Sequence, residues 1–218
     1  MKKTALISMI SMGLFFLVGF SLFGTHSVLT WILDLDQRLM LQIAKTRSTS
    51  LTQMMTDISG LGSQFSMYFF TIFTVALLWS LNQKLSAMQV GLAAYGSSLL
   101  VSIIKNWLER PRPQVVERLI EINDFSFPSG HSCSPTAIFI TAALLMAPYL
   151  PKCSQRRLVY FAAVVLPIFI AYSRVYLGVH YPSDVLAGFA LGVGWTFAVM
   201  SIRLYFDPKF LRSGVTND

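Results

Sequence analysis

The sequence predicts an all-α integral membrane protein, a bundle of six transmembrane helices with short interfacial helices between the first and second spans. The chain of 218 residues is 54% hydrophobic and only 12% charged, which is typical of membrane proteins. Its apolar runs approach the length of about 20 residues that crosses a bilayer as a helix. One segment, 25–64, is amphipathic instead. This length suits a single membrane-embedded domain, residues 1–218.

The first span is predicted at 5–24, directly after Lys2 and Lys3. A secretory signal peptide is the competing interpretation, because it also combines basic residues with an apolar run. The run is long for a signal peptide, and no good small-residue cleavage site follows it. We therefore expect a transmembrane helix whose basic end lies in the cytoplasm.

Segment 25–64 is expected to lie along the membrane interface rather than to span it. Its apolar residues recur near helical spacing among charged ones: Leu29, Ile32, Leu39 and Ile43. Ser50 followed by Gln53 fits the capping pattern of a second short helix. Gly60 and Gly62 then interrupt the chain before the next span.

The remaining spans are predicted, in order, at 65–81, 87–107, 132–150, 158–172 and 182–203. Pro167 is expected to kink the short fifth span. Cys133 and Cys153 are expected on one continuous helix, roughly 30 Å apart at about 1.5 Å per residue, which is beyond disulfide reach. We interpret both cysteines as small apolar packing residues.

The basic residues orient the bundle. The net charge is +7, but these residues are scattered among apolar spans, which argues against a nucleic-acid partner. Six spans place on the cytoplasmic side Lys2, Lys3, Lys84, Lys152, Arg156, Arg157, Arg203, Lys209 and Arg212. Because cytoplasmic loops carry an excess of Lys and Arg, we expect this side of the bundle to lie in the cytoplasm. The polar loop 108–127 then faces the opposite side, the periplasm or the cell exterior.

The strongest functional signal is Ser173-Arg174, followed by His180 and Asp184. If a helix begins near Pro182, His180 lies at its N-terminus and Asp184 follows about one turn later on the same side. A carboxylate there holds an imidazole in one tautomer and stabilises its cation. Arg174 adds a planar donor fork that suits phosphate oxygens. Each residue alone is typical of a polar helix end, so the interpretation depends on the combination.

Two further motifs precede it: Lys105 with Arg112-Pro113 after six intervening residues, and Pro128-Ser129-Gly130-His131 at the start of another apolar helix. In order and spacing, the three motifs resemble the three-part signature of the type 2 phosphatidic acid phosphatase superfamily. That family includes membrane lipid phosphatases and, more distantly, vanadium-dependent haloperoxidases. The resemblance covers 105–184, the expected catalytic core, with every signature position filled. The flanking apolar segments fit the six-span bacterial members, so the resemblance implies a multi-pass protein of the bacterial inner membrane.

The resemblance implies a role for each motif residue. His180 is expected to be the nucleophile that forms a phosphohistidine, with Asp184 orienting it and His131 protonating the leaving oxygen. The expected phosphate-binding residues are Lys105, Arg112, Ser129, Gly130 and Arg174. Three cations and the start of the helix after Ser129 supply positive charge at the phosphate, so neither a metal nor another cofactor is expected.

The expected substrate is a lipid phosphate or diphosphate, hydrolysed at the outer face of the bilayer. Undecaprenyl diphosphate comes first, because the compact six-span form resembles the enzymes that hydrolyse it, and phosphatidylglycerophosphate or phosphatidic acid is the alternative. A transporter is the alternative from a different class, because ionisable residues in membranes often mark ion paths. Transporter sites lie near the bilayer midplane, whereas these charges cluster at span ends, so we favour an enzyme.

Overall fold

The computed structural model describes residues 2–23 and 26–207, and the side chains of 4–19 and 30–207. The regular structure of this part of the chain is helical, without strands, which confirms the all-α prediction. The helices are α1 (Lys2–Phe23), α2 (His26–Ala44), α3 (Thr49–Leu61), α4 (Gln64–Ser80), α5 (Lys84–Leu108), α6 (Gly130–Met146), α7 (Cys153–Tyr176) and α8 (Pro182–Phe206). A 3₁₀ helix, Ala147–Tyr149, follows α6.

Four elements of the described chain are long and apolar enough to cross a membrane: α5, α6 with its 3₁₀ extension, α7 and α8. Helices α3 and α4 meet at a bend of 46° and together form a fifth candidate. Within α1, Thr4–Gly19 is a shorter apolar helix. The described residues therefore form a helical membrane protein with four candidate spans, or five if the bent pair is one span. This count of four or five does not confirm the six spans predicted from the sequence.

Helix α6 lies at the centre of the bundle, where it contacts α4, α5, α7 and α8. Its contact with α8 is close because Gly188 and Gly192, one turn apart, face the α6 backbone. A Cβ atom on Gly192 would lie 2.6 Å from the backbone oxygen of Cys133, so a larger residue would push the helices apart. Small residues at this spacing are a common device for close helix packing in membranes. The close approach holds the N-terminal turns of α6 and α8 side by side.

The long loop between α5 and α6 is held by a buried apolar cluster. Phe127, fully buried in this loop, stacks on Phe15 of α1 with ring centroids 5.9 Å apart. Val101 of α5 and Leu191 of α8 belong to the same cluster. Offset-stacked aromatic pairs stabilise a packed core beyond their buried area. The loop therefore has a defined path across the end of the bundle.

Helix α7 corrects the predicted fifth span. It extends from Cys153 to Tyr176 rather than over 158–172, and Pro167 lies within one continuous helix. The apolar pattern marked only the middle of the helix, because the basic residues of its first turns interrupt the hydrophobic run. Neighbouring helices commonly compensate for a proline inside a membrane helix.

Cys133 and Cys153 were expected on one continuous helix, but they lie on different helices. Helix α6 ends at Met146, and the 3₁₀ turn separates it from Cys153, the first residue of α7. Both thiols are free, but Cys153 is exposed, so the prediction that it packs in the core is wrong. Cys133 is buried, as predicted. The predicted fourth span, 132–150, already ended before Cys153, so the expectation of one continuous helix was inconsistent with the predicted spans.

The predicted pair of short helices between the first and second spans is present as α2 and α3, with two corrections. The N-cap of α3 is Ser48, whose hydroxyl accepts a hydrogen bond from the Leu51 backbone N–H at 3.3 Å, rather than Ser50. On α2, Met40 is buried, whereas Leu39 is 37% exposed. Ile32 and Ile43 are partly buried against core clusters, as predicted, so Leu39 is the misassigned residue, while the side chain of Leu29 lies outside the described residues.

Candidate active site

The motif residues meet at one end of the bundle, because α5 and α7 end there and α6 and α8 begin there. A cavity of 460 Å³ lies between these helix ends. Six of the eight predicted site residues line it: Lys105, Arg112, Gly130, His131, Arg174 and His180. Asp184 and Ser129 are fully buried beside this wall. The structure thus brings the three motifs together around a single cavity.

His180 stands just before α8 and is 1% exposed. Its Nδ1 atom lies 3.4 Å from Oδ2 of Asp184, and its Nε2 atom lies 3.3 Å from Nη1 of Arg112. With the proton on Nδ1, facing the carboxylate, the Nε2 lone pair is directed to the cavity side. Burial lowers the pKa of His180 to about 4, although the hydrogen bond to Asp184 opposes this effect. The imidazole is therefore neutral at neutral pH and suited to act as a nucleophile.

Asp184 is held from several directions in the first turn of α8. Its Oδ2 accepts hydrogen bonds from the Tyr181 backbone N–H at 3.0 Å and from the Ser126 hydroxyl. Its Oδ1 forms an ion pair with Arg110. A carboxylate with this many donors has a single orientation. The local sequence explains its place, because Pro182 starts the helix and Asp184 reaches back to the cap residue.

Lys105 and Arg112 share one carboxylate, that of the exposed Asp124. Arg112 is itself fixed by the backbone oxygens of Val179, 2.6 Å from Nη1, and of Asp124, 2.8 Å from Nε. Partial burial opposes ionisation of Asp124, but hydrogen bonds from both cations outweigh it, so the pKa of Asp124 lies below its usual value. The two cations are therefore spaced to hold one anionic group between them.

Arg174, in the last turn of α7, is 3% exposed. Its Nη1 atom donates to the hydroxyl of Ser59 at 2.6 Å, which ties the site to α3. Its Nε–H has no hydrogen-bond partner among the described residues. A buried guanidinium that lines the cavity and retains an unused donor is suited to bind an anion there.

Ser129 links two helices and does not line the cavity. Its backbone N–H donates to the Asp184 carbonyl at 3.1 Å, and its carbonyl accepts from the Cys133 N–H at 3.0 Å. Its hydroxyl is buried and makes no hydrogen bond within the described chain. Gly130, the first residue of α6, does line the cavity. The first N–H groups of a helix lack partners within that helix, so this end of α6 offers backbone donors.

The motifs did not reveal the residues that contact them: Asp124, which lines the cavity, and Asp36, Ser59, Arg110, Ser126 and Ser183, which lie behind it. For Asp36 a signal was present, because it falls between Ile32 and Met40 on the inward stripe of an amphipathic helix. A carboxylate on a buried helical face requires a partner. The structure pairs Arg110 with Asp36 and Asp184, a role for which the sequence carried no signal.

The fold and the cavity together define a class of protein: a helical membrane protein with a cavity lined by cationic side chains and histidines at one end of its bundle. Comparison with known proteins makes this more specific. The family model described as the PAP2 superfamily matches residues 86–208. The chain therefore belongs to the PAP2 superfamily, and it is a membrane lipid phosphatase of that type. The resemblance identified from the three motifs is confirmed.

Two curated relatives match to different extents. Phosphatidylglycerophosphatase B of Bacillus subtilis is 31% identical over 204 residues, which cover 93% of this chain and 96% of the relative. An undecaprenyl-diphosphatase of Sulfolobus acidocaldarius is 35% identical over only 80 residues, 37% of this chain and 34% of the relative. The first similarity extends over nearly the whole of both proteins, whereas the second is confined to about a third of each.

One solved structure is similar over almost the whole chain. It is the crystal structure of the first transmembrane PAP2 type phosphatidylglycerolphosphate phosphatase from Bacillus subtilis. It superposes with a TM-score of 0.80 at 27% identity, covering 95% of this chain and 98% of the other. The arrangement of helices described above is therefore shared with a bacterial membrane phosphatase.

Proposed function

We propose that the protein removes the terminal phosphate from a lipid phosphate through a phosphohistidine formed at His180. The observation that carries this proposal is the placement of the His180 ring. One nitrogen faces the carboxylate of Asp184, and the other lies beside Arg112 in a cavity that Lys105 and Arg174 also line. This is the arrangement that an activated nucleophile next to a phosphate site requires.

In the first step, three cations bind the equatorial oxygens of the phosphate: Lys105, Arg112 and Arg174. Positioning and charge neutralisation are the main requirements of phosphoryl transfer. Nε2 of His180 forms a bond to phosphorus while the bond between phosphorus and the lipid oxygen breaks. Asp184 stabilises the positive charge that develops on the imidazole. His131, at the cavity wall, donates a proton to the departing lipid oxygen.

In the second step, a water molecule takes the place of the lipid product. His131, which has lost its proton, accepts one from this water as its oxygen attacks phosphorus. The bond between phosphorus and Nε2 of His180 then breaks, and inorganic phosphate is released. The positive charge that the cations and the start of α6 provide is the basis for proposing that no metal ion takes part.

We propose six spans in one domain, 1–218, formed by α1 and α4–α8, with α2 and α3 at the interface. The orientation of the bundle is supported by basic residues at the helix ends that lie away from the cavity: Lys84, Lys152, Arg156, Arg157 and Arg203. Basic residues favour the cytoplasmic side. The cavity then opens on the periplasmic side of a bacterial inner membrane.

The walls of the cavity support a lipid-linked substrate. The lining includes apolar side chains of α4, α5 and α6, among them Met67, Ala94, Val101 and Ile138, together with hydroxyl side chains of the same helices. The three helices belong to candidate membrane spans. A hydrocarbon chain attached to a bound phosphate would in this way lie against apolar residues within the bilayer.

We propose phosphatidylglycerophosphate as the first candidate substrate, because the similarity to phosphatidylglycerophosphatase B covers nearly the whole of both chains. Undecaprenyl diphosphate, first in the sequence analysis, becomes the second candidate, since its support is a match over 80 residues. Phosphatidic acid is a further test substrate, because its phosphate monoester carries the same reacting group.

Phosphate release by purified protein in detergent micelles tests the proposal. The substrates are phosphatidylglycerophosphate, undecaprenyl diphosphate and phosphatidic acid, and the His180→Ala variant is the matched control. We expect the highest kcat/KM with phosphatidylglycerophosphate and no release by the variant. A higher kcat/KM with undecaprenyl diphosphate would exchange the order of the two candidates. Absence of release from all three substrates would refute the proposed function.

A further inference from the structure

A buried ionic network starts on the short helix α2, outside the motifs. Asp36, on the inward face of α2, is 3% exposed, whereas Asp34 on the same helix is exposed. Asp36 accepts hydrogen bonds from the backbone N–H of Ser183, at 2.9 Å, and from the Ser183 hydroxyl. Arg110 donates to the Oδ2 atom of Asp36 at 3.0 Å. Asp36 therefore joins α2 both to the first turn of α8 and to the loop after α5.

Arg110 connects this carboxylate to a second one. Its Nη2 atom binds Asp36, while its Nη1 atom pairs with Asp184 and lies 2.9 Å from the Ser183 hydroxyl. Its guanidinium group also lies over the ring of Tyr181, 4.1 Å from the ring centroid. A guanidinium is a rigid planar fork, so the contact at one edge determines where the other edge points. The position of Asp36 thus determines how Arg110 meets Asp184.

We propose that Asp36 is a positioning residue for His180, acting through Arg110 and Asp184. This inference rests on the proposed role of His180 as the nucleophile. Asp36 does not line the catalytic cavity, so it has no direct contact with a bound phosphate. It holds Arg110, Arg110 holds one oxygen of Asp184, and the other oxygen of Asp184 faces the imidazole. The interfacial helix α2 is in this way part of the catalytic apparatus.

Charge gives the network a second effect. The positive charge of Arg110 next to Asp184 weakens the stabilisation that Asp184 offers to a cationic imidazole. Asp36 offsets this positive charge, which leaves more of the Asp184 charge effective at His180. Removal of the Asp36 charge should therefore make His180 harder to protonate, and removal of the Arg110 charge should make it easier.

The other charged groups around His180 are unchanged in such a comparison. They are Asp184 from α8, Arg112 and Asp124 from the loop, Arg174 from α7, His131 from α6 and Lys105 from α5. Asp36 itself titrates: burial raises the pKa of Asp36, while the hydrogen bonds from Ser183 and the charge of Arg110 oppose this. The pH profile of each variant is therefore compared over the same range as that of the wild type.

The experiment compares Asp36→Asn with Asp34→Asn, an exposed aspartate on the same helix, using phosphate release from phosphatidylglycerophosphate. We expect Asp36→Asn to lower kcat by about 10- to 100-fold, the effect of losing a charge-assisted hydrogen bond, with little change in KM because the cavity lining is intact. Its acid limb of kcat/KM should move to lower pH, and that of Arg110→Gln to higher pH. Asp34→Asn should match the wild type in both respects.

The inference would be overturned if Asp36→Asn and Asp34→Asn had the same kcat and the same acid limb. It would also be overturned if the acid limbs of Asp36→Asn and Arg110→Gln moved in the same direction. If Asp36→Asn fails to fold, Ser183→Ala replaces it, because it removes a side-chain hydrogen bond from Asp36 without a change of charge. An unchanged kcat in folded Ser183→Ala would then be the contradicting result. Wild-type protein and Asp34→Asn that both release no phosphate would instead refute the proposed function.

Discussion

Replacement of Asp184 by asparagine tests the central contact of the site. Asp184 is fully buried and faces four donors: Arg110, the Ser126 hydroxyl, the Tyr181 backbone N–H and Nδ1 of His180. The amide introduced by Asp184→Asn keeps the size of the side chain but has no charge and a single acceptor oxygen. At least one donor must then face an N–H₂ group, and Arg110 retains Asp36 as its remaining carboxylate partner.

The expected size of the effect follows from the separation of 3.4 Å between Nδ1 of His180 and Oδ2 of Asp184. Opposite unit charges about 4 Å apart attract by about 4 kcal/mol at an effective dielectric constant of about 20. This attraction stabilises the transition state, in which the imidazole becomes cationic, more than the ground state, in which it is neutral. Since about 1.36 kcal/mol changes a rate tenfold, we expect Asp184→Asn to lower kcat by about 10²- to 10³-fold.

Formation of the dephosphorylated lipid in a single turnover, with enzyme in excess over substrate, measures this step without the later release of inorganic phosphate. Asp57→Asn, a change at an exposed aspartate that is hydrogen-bonded to Gln53 on α3, is the matched control and should retain wild-type kcat. Thermal unfolding in detergent separates a catalytic loss from a loss of fold. A decrease in kcat of less than about tenfold in folded Asp184→Asn would contradict the proposed role of the carboxylate.

Four further predictions concern the pH profile, metal ions, topology and the two histidines. Burial lowers the pKa of His180 to about 4, so after correction for substrate ionisation the acid limb of kcat/KM should lie well below the usual histidine value of about 6.5; a limb at that value would be the contrary result. Phosphate release should persist in excess EDTA, and complete loss that magnesium restores would show that a metal takes part. In a background without the native cysteines, an impermeant thiol reagent added to intact cells should label a cysteine at Gln114 but not one at Gln155; equal labelling would exclude the six-span arrangement, and the reverse pattern would place the site in the cytoplasm. His180→Ala should trap no phosphoenzyme, whereas His131→Ala should trap it and should recover the first-turnover release of phenol, but not steady-state turnover, with an aryl phosphate whose phenol needs no proton; trapping by His180→Ala but not by His131→Ala would reverse the two roles.

Much of the site was predictable because its residues lie at helix ends. Polar residues at the limits of apolar runs must leave the hydrocarbon region, and an even number of spans between two motifs brings them to the same side. For this reason, Lys105, His131, Arg174 and His180 were expected in one place, and they line one cavity. The spacing of His180 and Asp184 also predicted their contact, because four residues correspond to about one helical turn.

Helix limits were less predictable, because hydropathy reports which residues lie in hydrocarbon rather than which residues are helical. The predicted fifth span, 158–172, is the apolar middle of the longer α7, Cys153–Tyr176. Cys133 and Cys153 were expected on one helix, but a short 3₁₀ turn and Pro151 separate them. Helical residues at the membrane surface, like those that start α7, carry polar side chains that resemble a loop.

By itself, the sequence determined the class of protein, the helical architecture and the motif residues at the cavity, because these depend on hydropathy and on local spacing. Only the tertiary structure decided which residues support the motifs. Arg174 is hydrogen-bonded to Ser59, 115 residues earlier, and Asp36 reaches Ser183, 147 residues later. The periodicity of α2 shows that Asp36 lies on the inward face of the helix. Which residue Asp36 contacts there depends on how separate helices pack. Long-range pairs of this kind follow from the assembled bundle, which no local pattern specifies.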